Sequence, residues 1–419
     1  MVRFLIIFVI FVSSIDSKTF TFNEIHKMPH SVAKDYYIWR FLTQKSTNII
    51  EAKTIIGEAS RLNKKLRVSY KAKTGRYPPK LAKRKREVSP FNINWRNRGK
   101  AHKSFYKGIA FMKKNQPSKA YPYFSDAYNK YFKRYDKDKS LFWLYLSTKE
   151  RKYLKKLTKS YHINIYTMVA CDTFHTNYPS TITQSIRKSK TYGFDITDAI
   201  DWAKLKKRVN RGYDLDNLAD DYCSQECIGV YTYIKARACK YRKSYFPMPY
   251  RHLMKYMPKQ RQALIYAIAR QETRFIPASI SPSFALGMMQ FMPFLVKHIS
   301  KKKGDHIDLD AMFNPYKSIE YADYHLDYLE KYLNHPLFIA YAYNGGIGFT
   351  RRFLKNKKHF KSGKYEPYLT MESMKNKEAK EYGKKVLANY VIYMNKLGFK
   401  TKMLHLINQI AYSNSVSRF

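Results

Sequence analysis

One glutamate, Glu272, closes an otherwise apolar helical run, and a polar loop containing glycine follows it. The order is Ala267 to Pro277, then Ser281-Pro282, then Gly287-Met288-Met289-Gln290. Leu264, Ile265 and Ile268 recur at helical spacing and Glu272 falls four residues after Ile268, which projects its side chain from the face the helix buries. A buried carboxyl resists ionisation, so it can hold a proton near neutral pH and hand it to a leaving group, as a general acid must. A surface glutamate at a helix C-terminus would be unfavourable against the helix dipole.

The order Gln271-Glu272, Ser281-Pro282, Gly287-Met288-Met289-Gln290 and Ala342-Tyr343-Asn344 resembles the catalytic domain of the soluble lytic transglycosylases. The resemblance covers about the C-terminal third of the chain, and its specificity comes from several separated motifs in one order. It implies a lysozyme-like fold and cleavage of peptidoglycan glycan strands, with no cofactor and no metal. It also implies that Glu272 protonates the oxygen leaving the N-acetylmuramic acid anomeric carbon and then takes the proton of that sugar's C6 hydroxyl. The expected product is a 1,6-anhydro end.

Glycosidases usually use two carboxylates. The chain shows no obvious partner near Glu272, and the family's answer is the substrate's own N-acetyl group. By the same resemblance Ser281, Gln290, Met292, Tyr343, Asn344 and Glu378 are substrate-binding candidates. Tyr343 is expected to hydrogen-bond the acid, and Met292 to line the groove while Met289 packs beneath it. Gln290 would offer donor and acceptor to sugar amides, and Glu378, followed by Tyr382 and Val386-Leu387, would bind the glycan or its peptide. Each has a plainer reading: a turn hydroxyl for Ser281, core for the methionines, and a first-turn helix glutamate for Glu378. The chain departs from the family at Thr273 (usually serine), Phe284 (usually glycine), Gly345 and Ile347 (usually alanine and proline), which leaves the loop shape open.

Composition narrows the setting. The 419 residues are long enough for two or three domains, and 45% hydrophobic content supplies cores. A net charge of +48, from 79 Lys and Arg against 31 Asp and Glu, attracts polyanions: nucleic acid, an anionic membrane surface or a cell-wall polymer whose peptide stems carry carboxylates. Charge alone speaks for nucleic acid, with neither an aromatic RNA motif nor a metal finger beside it. Met1-Val2-Arg3, the apolar run Phe4 to Val12 and the small residues to Ser17 read as a signal peptide, residues 1–17, with export to the periplasm and no stable membrane insertion afterwards. An uncleaved anchor is the other reading. Export would expose Cys171, Cys223, Cys227 and Cys239 to oxidising conditions, giving two disulfides in any of three connectivities. Their spacing is a poor zinc signature.

The expected fold class is all-α: an N-terminal helical, superhelix-like domain at 18–160, an irregular connector with the cysteines at 161–246, and a lysozyme-like domain at 247–419. Ala110, Phe111, Tyr121, Phe124, Ala127 and Tyr131 suggest a helical hairpin over Gly108 to Tyr131, with turns near Asn115-Gln116-Pro117 and Asp136. Val68 to Arg86 reads as an exposed basic loop, and His162 to Val169 favours strand. Pro247-Met248-Pro249 cannot lie inside one helix and marks a boundary. Beyond it, helices are expected at Gln260 to Arg274, Pro293 to Lys303, Ile319 to Tyr332, Pro336 to Tyr343 and Glu378 to Leu397. A hydrolytic muramidase, which admits water in place of the C6 hydroxyl, and a non-catalytic wall-binding scaffold are the alternatives.

Overall fold

The computed structural model describes residues 18–81, 95–356, 358–361 and 363–413. The signal-peptide reading of 1–17 and the end of the basic run, 82–86, lie outside them. Within the described residues nearly all regular structure is helical. The named strands are Thr181–Ile182 and Ser244–Tyr245, a parallel pair with Thr181 opposite Ser244 and Ile182 opposite Tyr245.

The first half is built of helical hairpins. Trp95–Lys113 packs along Pro117–Lys130, which packs along Arg134–Thr148, and Arg151–Thr158 and Ile165–Thr173 extend the series. The first turn falls where Asn115-Gln116-Pro117 predicts it: Asn115 is left-handed at φ 53° and Pro117 opens the next helix, where its missing N–H is no loss. Gly108 lets this pair close, since a Cβ there would lie 2.6 Å from the Phe124 ring.

The turn expected near Asp136 falls just before it, at 131–133, and Asp136 is in the first turn of Arg134–Thr148, where the helix dipole welcomes a carboxylate. Two local expectations fail for identifiable reasons. His162 to Val169 is mostly helical because Asn164 accepts the Tyr166 and Thr167 N–H groups while the Thr167 hydroxyl answers the Asn164 N–H, a capping box that outweighs β-branched propensity. Val68 to Thr74 belongs to the helix Lys64–Thr74, opened by the Asn63 cap and ended by Gly75 at φ 77°. The cysteine segment also carries more helix than a connector should, with Ala199–Arg211, Leu215–Asp220 and Ile228–Ala238. All four cysteines are free thiols, contrary to the expected pairing. Cys227 and Cys239 cap opposite ends of Ile228–Ala238, about 18 Å apart at 1.5 Å per residue and far beyond disulfide reach.

In the second half the expected helices form at Lys259–Glu272, Pro293–Lys303, Pro315–Glu330, Pro336–Gly345 and Lys377–Lys396, within a few residues of the bounds set by periodicity, and Ile347–Leu354, Tyr368–Ser373 and Met403–Ser413 add to them. Lys377–Lys396 is the central one. It packs against both Lys259–Glu272 and Pro336–Gly345, burying Tyr382, Val386, Tyr390 and Tyr393. Gly383 permits this approach, because a Cβ there would lie 2.2 Å from the Tyr341 ring. Arg270 fastens the acid-bearing helix in place: its guanidinium donates to Asn389 Oδ1 (2.6 Å) and to the Tyr245 carbonyl (2.8 Å) and lies 3.6 Å from the Phe246 ring centre. Among the described residues, no helix is long and apolar enough to cross a membrane.

The N-terminal helix Val32–Thr43 docks onto this half. Arg40 pairs with Asp308 (2.5 Å) and Asp310 (3.0 Å), and the Tyr36 hydroxyl donates to Asp310 at 2.7 Å. The guanidinium is nearly buried, so the geometry supplies the compensation that a desolvated charge requires.

Candidate active site

Glu272 is the last residue of its helix, and the chain turns sharply after it. Arg274 (φ 59°) and Phe275 (φ 66°) are consecutive left-handed residues, a conformation that costs about 1–2 kcal/mol per L-residue. Packing fixes the turn. Phe275 is buried, and its carbonyl passes so close to Gly229 that a Cβ there would lie 2.3 Å away. Thr273 donates through Oγ1 to the Met288 carbonyl (3.0 Å) and accepts the Ile276 N–H (3.1 Å). The helix end is thereby tied to the glycine-containing loop.

The Glu272 carboxyl is largely enclosed while the residue keeps some exposure. Burial pushes its pKa up to about 7, against the pull of a hydrogen bond from Tyr382; the nearby charge of Glu378 adds to the rise. The Tyr382 hydroxyl donates to Glu272 Oε1 at 2.8 Å. Of the other carboxyls raised by burial, Asp138 has Arg134 at 2.8 Å, Asp310 has Arg40, and Glu366 accepts the Thr370 N–H at 3.2 Å. Glu272 has a neutral phenol.

Tyr343 does not hold the acid. Its hydroxyl donates instead to the Met289 carbonyl at 2.8 Å, and its pKa is raised by burial first and by the nearby Glu272 charge second. The tyrosine bonded to the Glu272 carboxyl is Tyr382. It stands four residues after Glu378, one helical turn on, and that spacing is the signal that places both beside Glu272. Glu378 is exposed and accepts a hydrogen bond from Asn344 Nδ2 at 3.4 Å. A second carboxylate therefore does approach Glu272, brought by a helix more than one hundred residues downstream.

The loop 279–291 is folded on itself. Gly287 at φ 75° is obligatory, because a Cβ would meet the Met312 carbonyl at 2.0 Å. Gln290 spends both amide hydrogens on carbonyls of its own loop, Ser279 (3.2 Å) and Gly287 (2.8 Å), and so offers a ligand its Oε1 but not the expected donor. The Ser281 hydroxyl oxygen accepts the Ser283 (3.3 Å) and Ala285 (2.9 Å) N–H groups, the turn role, and its proton remains available to donate. Met289 is wholly buried.

Phe284 explains itself. Its backbone is left-handed at φ 64°, a conformation that favours glycine, but its ring is buried, stacked on Trp39 at 5.6 Å and edge-on to Tyr36 at 5.8 Å. Together with the Asn63 Nδ2 bond to the Pro282 carbonyl (2.9 Å), this plugs the loop into the N-terminal helices. Burial of a phenylalanine side chain contributes about 1.5–3 kcal/mol and offsets the strained backbone.

A cleft of about 1270 Å³ opens alongside, lined among others by Gln290, Met292, Phe294, Tyr324, His325, Tyr328, Tyr343 and Asn344. Glu272 and Ser281 are not among its lining residues; Glu272 lies within electrostatic reach of the Tyr343 that does line it. Phe294 is two-thirds exposed and Tyr328 well exposed within the cleft, which suits stacking on sugar faces. Neither aromatic carries a motif in the sequence. No group of His, Cys, Asp and Glu side chains suited to a metal occurs among the described residues.

Residues 252–365 match the family model of the transglycosylase SLT domain. The chain is 27% identical over 241 residues to a soluble lytic murein transglycosylase of Salmonella typhimurium, a match covering 54% of this chain and 37% of the relative. It is 26% identical over 240 residues to the protein of the same description from Escherichia coli, with the same two coverages. The chain thus aligns with little more than a third of these relatives' length. Among solved structures, the 70 kDa soluble lytic transglycosylase of Escherichia coli has a TM-score of 0.48 and 18% identity, covering 90% of this chain and 67% of that one.

Proposed function

Because residues 252–365 match the transglycosylase SLT domain, we propose that this chain is a peptidoglycan lytic transglycosylase with Glu272 as its one acid and base. The relatives are named for murein cleavage. The observation that carries the reading is the Glu272 carboxyl, enclosed, bonded to a neutral phenol and titrating near 7. Such a group is protonated in a useful fraction at neutral pH and still basic enough to recover a proton afterwards.

In the first step Glu272 donates its proton to the glycosidic oxygen between N-acetylmuramic acid and N-acetylglucosamine as the anomeric C–O bond breaks. The substrate's N-acetyl oxygen braces the developing positive charge. In the second step the C6 hydroxyl oxygen of the same sugar bonds to the anomeric carbon, and its proton returns to Glu272. Intramolecular attack removes orientational cost, worth up to about 7–11 kcal/mol in well-aligned cases. Tyr382 holds the carboxyl rotamer and stabilises the carboxylate between the steps. Gln290 Oε1, Met292, Tyr343 and Asn344 form the wall against which the strand lies, Ser281 offers its hydroxyl proton, and Glu378 with Asn344 sets one edge. The domain division at 247 and action on exported wall material belong to the same proposal.

Mass analysis of muropeptides released from purified peptidoglycan tests it. The expected products carry anhydro ends, lighter by one water than those of a hydrolytic muramidase, and disappear in Glu272→Gln. Reducing ends, or undiminished turnover by that variant, would remove the mechanism.

A further inference from the structure

A second cavity, of about 640 Å³, lies between the helices Trp95–Lys113, Arg134–Thr148 and Lys377–Lys396. Seven Lys and Arg side chains line it against two carboxylates, Asp136 and Glu381. Those carboxylates do not balance it. Glu381 accepts from Tyr135 (2.6 Å) and from Lys384 (3.0 Å), which reaches it from the buried side, and Lys384 also pairs with buried Glu372 at 2.7 Å. Asp136 is shared between Arg98 and Lys139, each at 3.9 Å. Lys380 is buried and donates to the Tyr106 hydroxyl (2.7 Å) and the Glu372 carbonyl (3.1 Å); burial lowers its pKa to about 8. Lys103, Lys133, Lys377 and Lys385 are exposed around it, and no described carboxylate lies within ion-pair distance of them. A recess with this surplus of positive charge has a low-dielectric wall that strengthens attraction for an anion.

The cavity shares its helix with the acid site. Glu378 and Tyr382 form the stripe facing Glu272 and Asn344, and Lys377, Glu381 and Lys385 form the adjacent stripe, about 100° round the same helix. A glycan strand lying past Asn344 and Glu378 would therefore carry its peptide side branches over the rim of the basic cavity.

We propose that this cavity is a second binding site, which takes the carboxylates of the peptide stems borne by a glycan strand in the neighbouring cleft. It rests on the function proposed above, and it adds a recognition element distinct from the sugar-binding wall. Binding is measured with the full chain carrying Glu272→Gln, so that ligand is not consumed. The probes are short glycan chains with their stems, the same chains stripped of peptide, and inorganic phosphate as competitor. The stem-bearing chains are expected to bind at least tenfold more tightly. That advantage should vanish in Lys103→Glu/Lys385→Glu and be intermediate in Lys103→Gln/Lys385→Gln, both at exposed positions, with affinity for stripped chains unchanged throughout. Equal affinity for the two chains, an unaltered advantage in the charge-reversed protein, or displacement of the stems by phosphate at matching concentration would overturn the proposal. Cleavage of stripped chains by the unaltered protein is scored separately. Failure of the proposed chemistry shows there, and failure of stem recognition shows only in the lysine variants.

Discussion

Replacing Tyr382 by phenylalanine should move the pH limit of activity upward. The wild-type hydroxyl donates to Glu272 Oε1 at 2.8 Å and opposes the rise that burial imposes, leaving the carboxyl at about 7. A hydrogen bond to a charged group contributes about 1.5–3 kcal/mol. The protonated carboxyl keeps part of it, so the differential loss is on the order of 1.4 kcal/mol, or about one pK unit. Because Glu272 must be protonated for the first step, turnover falls as pH rises through its pKa. The alkaline limb of kcat/KM should therefore shift from near 7 to near 8 in Tyr382→Phe, and carboxyl-carbon NMR of the resting protein should show the same displacement without substrate. Tyr343→Phe should leave the limb in place, since that hydroxyl is spent on the Met289 carbonyl. A limb unmoved in Tyr382→Phe, or one that moves in Tyr343→Phe instead, would refute the assignment of the orienting tyrosine.

Glu272→Gln should abolish turnover, retain sedimentation with peptidoglycan, and raise stability in alkaline solution. A carboxyl whose folded pKa of about 7 exceeds its usual 4.5 binds more protons folded than unfolded between those values, so stability falls as pH rises through that window. The full shift corresponds to on the order of 3 kcal/mol, and to ~2 kcal/mol after allowance for partial exposure; thermal melts at pH 5 and pH 8 should show the variant's advantage only at the higher pH. Phe284→Ala should cost about 3–4 kcal/mol in denaturant unfolding, and Phe284→Gly about 1 kcal/mol less than alanine, because glycine accepts φ 64° without strain. Equal losses would show that the backbone there is unstrained. Gly287→Ala, whose Cβ would meet the Met312 carbonyl, should unfold the loop and lose activity without any change to Glu272, visible as lost amide protection over 279–291. Raising salt should release the protein from sacculi, given a charge of +48; retention at high salt would deny the electrostatic contribution.

Sequence by itself determined the helical class and the place of Glu272 at a helix end. Glu272 stands at the end of a periodic apolar helix, and both periodicity and the consequence of burying a carboxyl are local properties that a linear reading can reach. The helices of the second half were legible for the same reason, and so was the hairpin turn at Asn115-Gln116-Pro117. The capping box at Asn164 was written in the sequence too, but it competes with strand-favouring residues, and only the fold shows which wins.

Tertiary structure decided what surrounds the acid. Tyr382 rather than Tyr343 reaches it because the Lys377–Lys396 helix packs along the Lys259–Glu272 helix, while Gly383 lets the same helix close on Tyr341 of Pro336–Gly345. Phe284 is tolerated in a left-handed position because Trp39 and Tyr36, some 245 residues earlier, bury its ring. Cys227 and Cys239 cannot pair because a helix holds them apart. Partners so distant along the chain leave no spacing to read. Their meeting depends on packing between whole helices, and short-range periodicity does not encode which faces will touch.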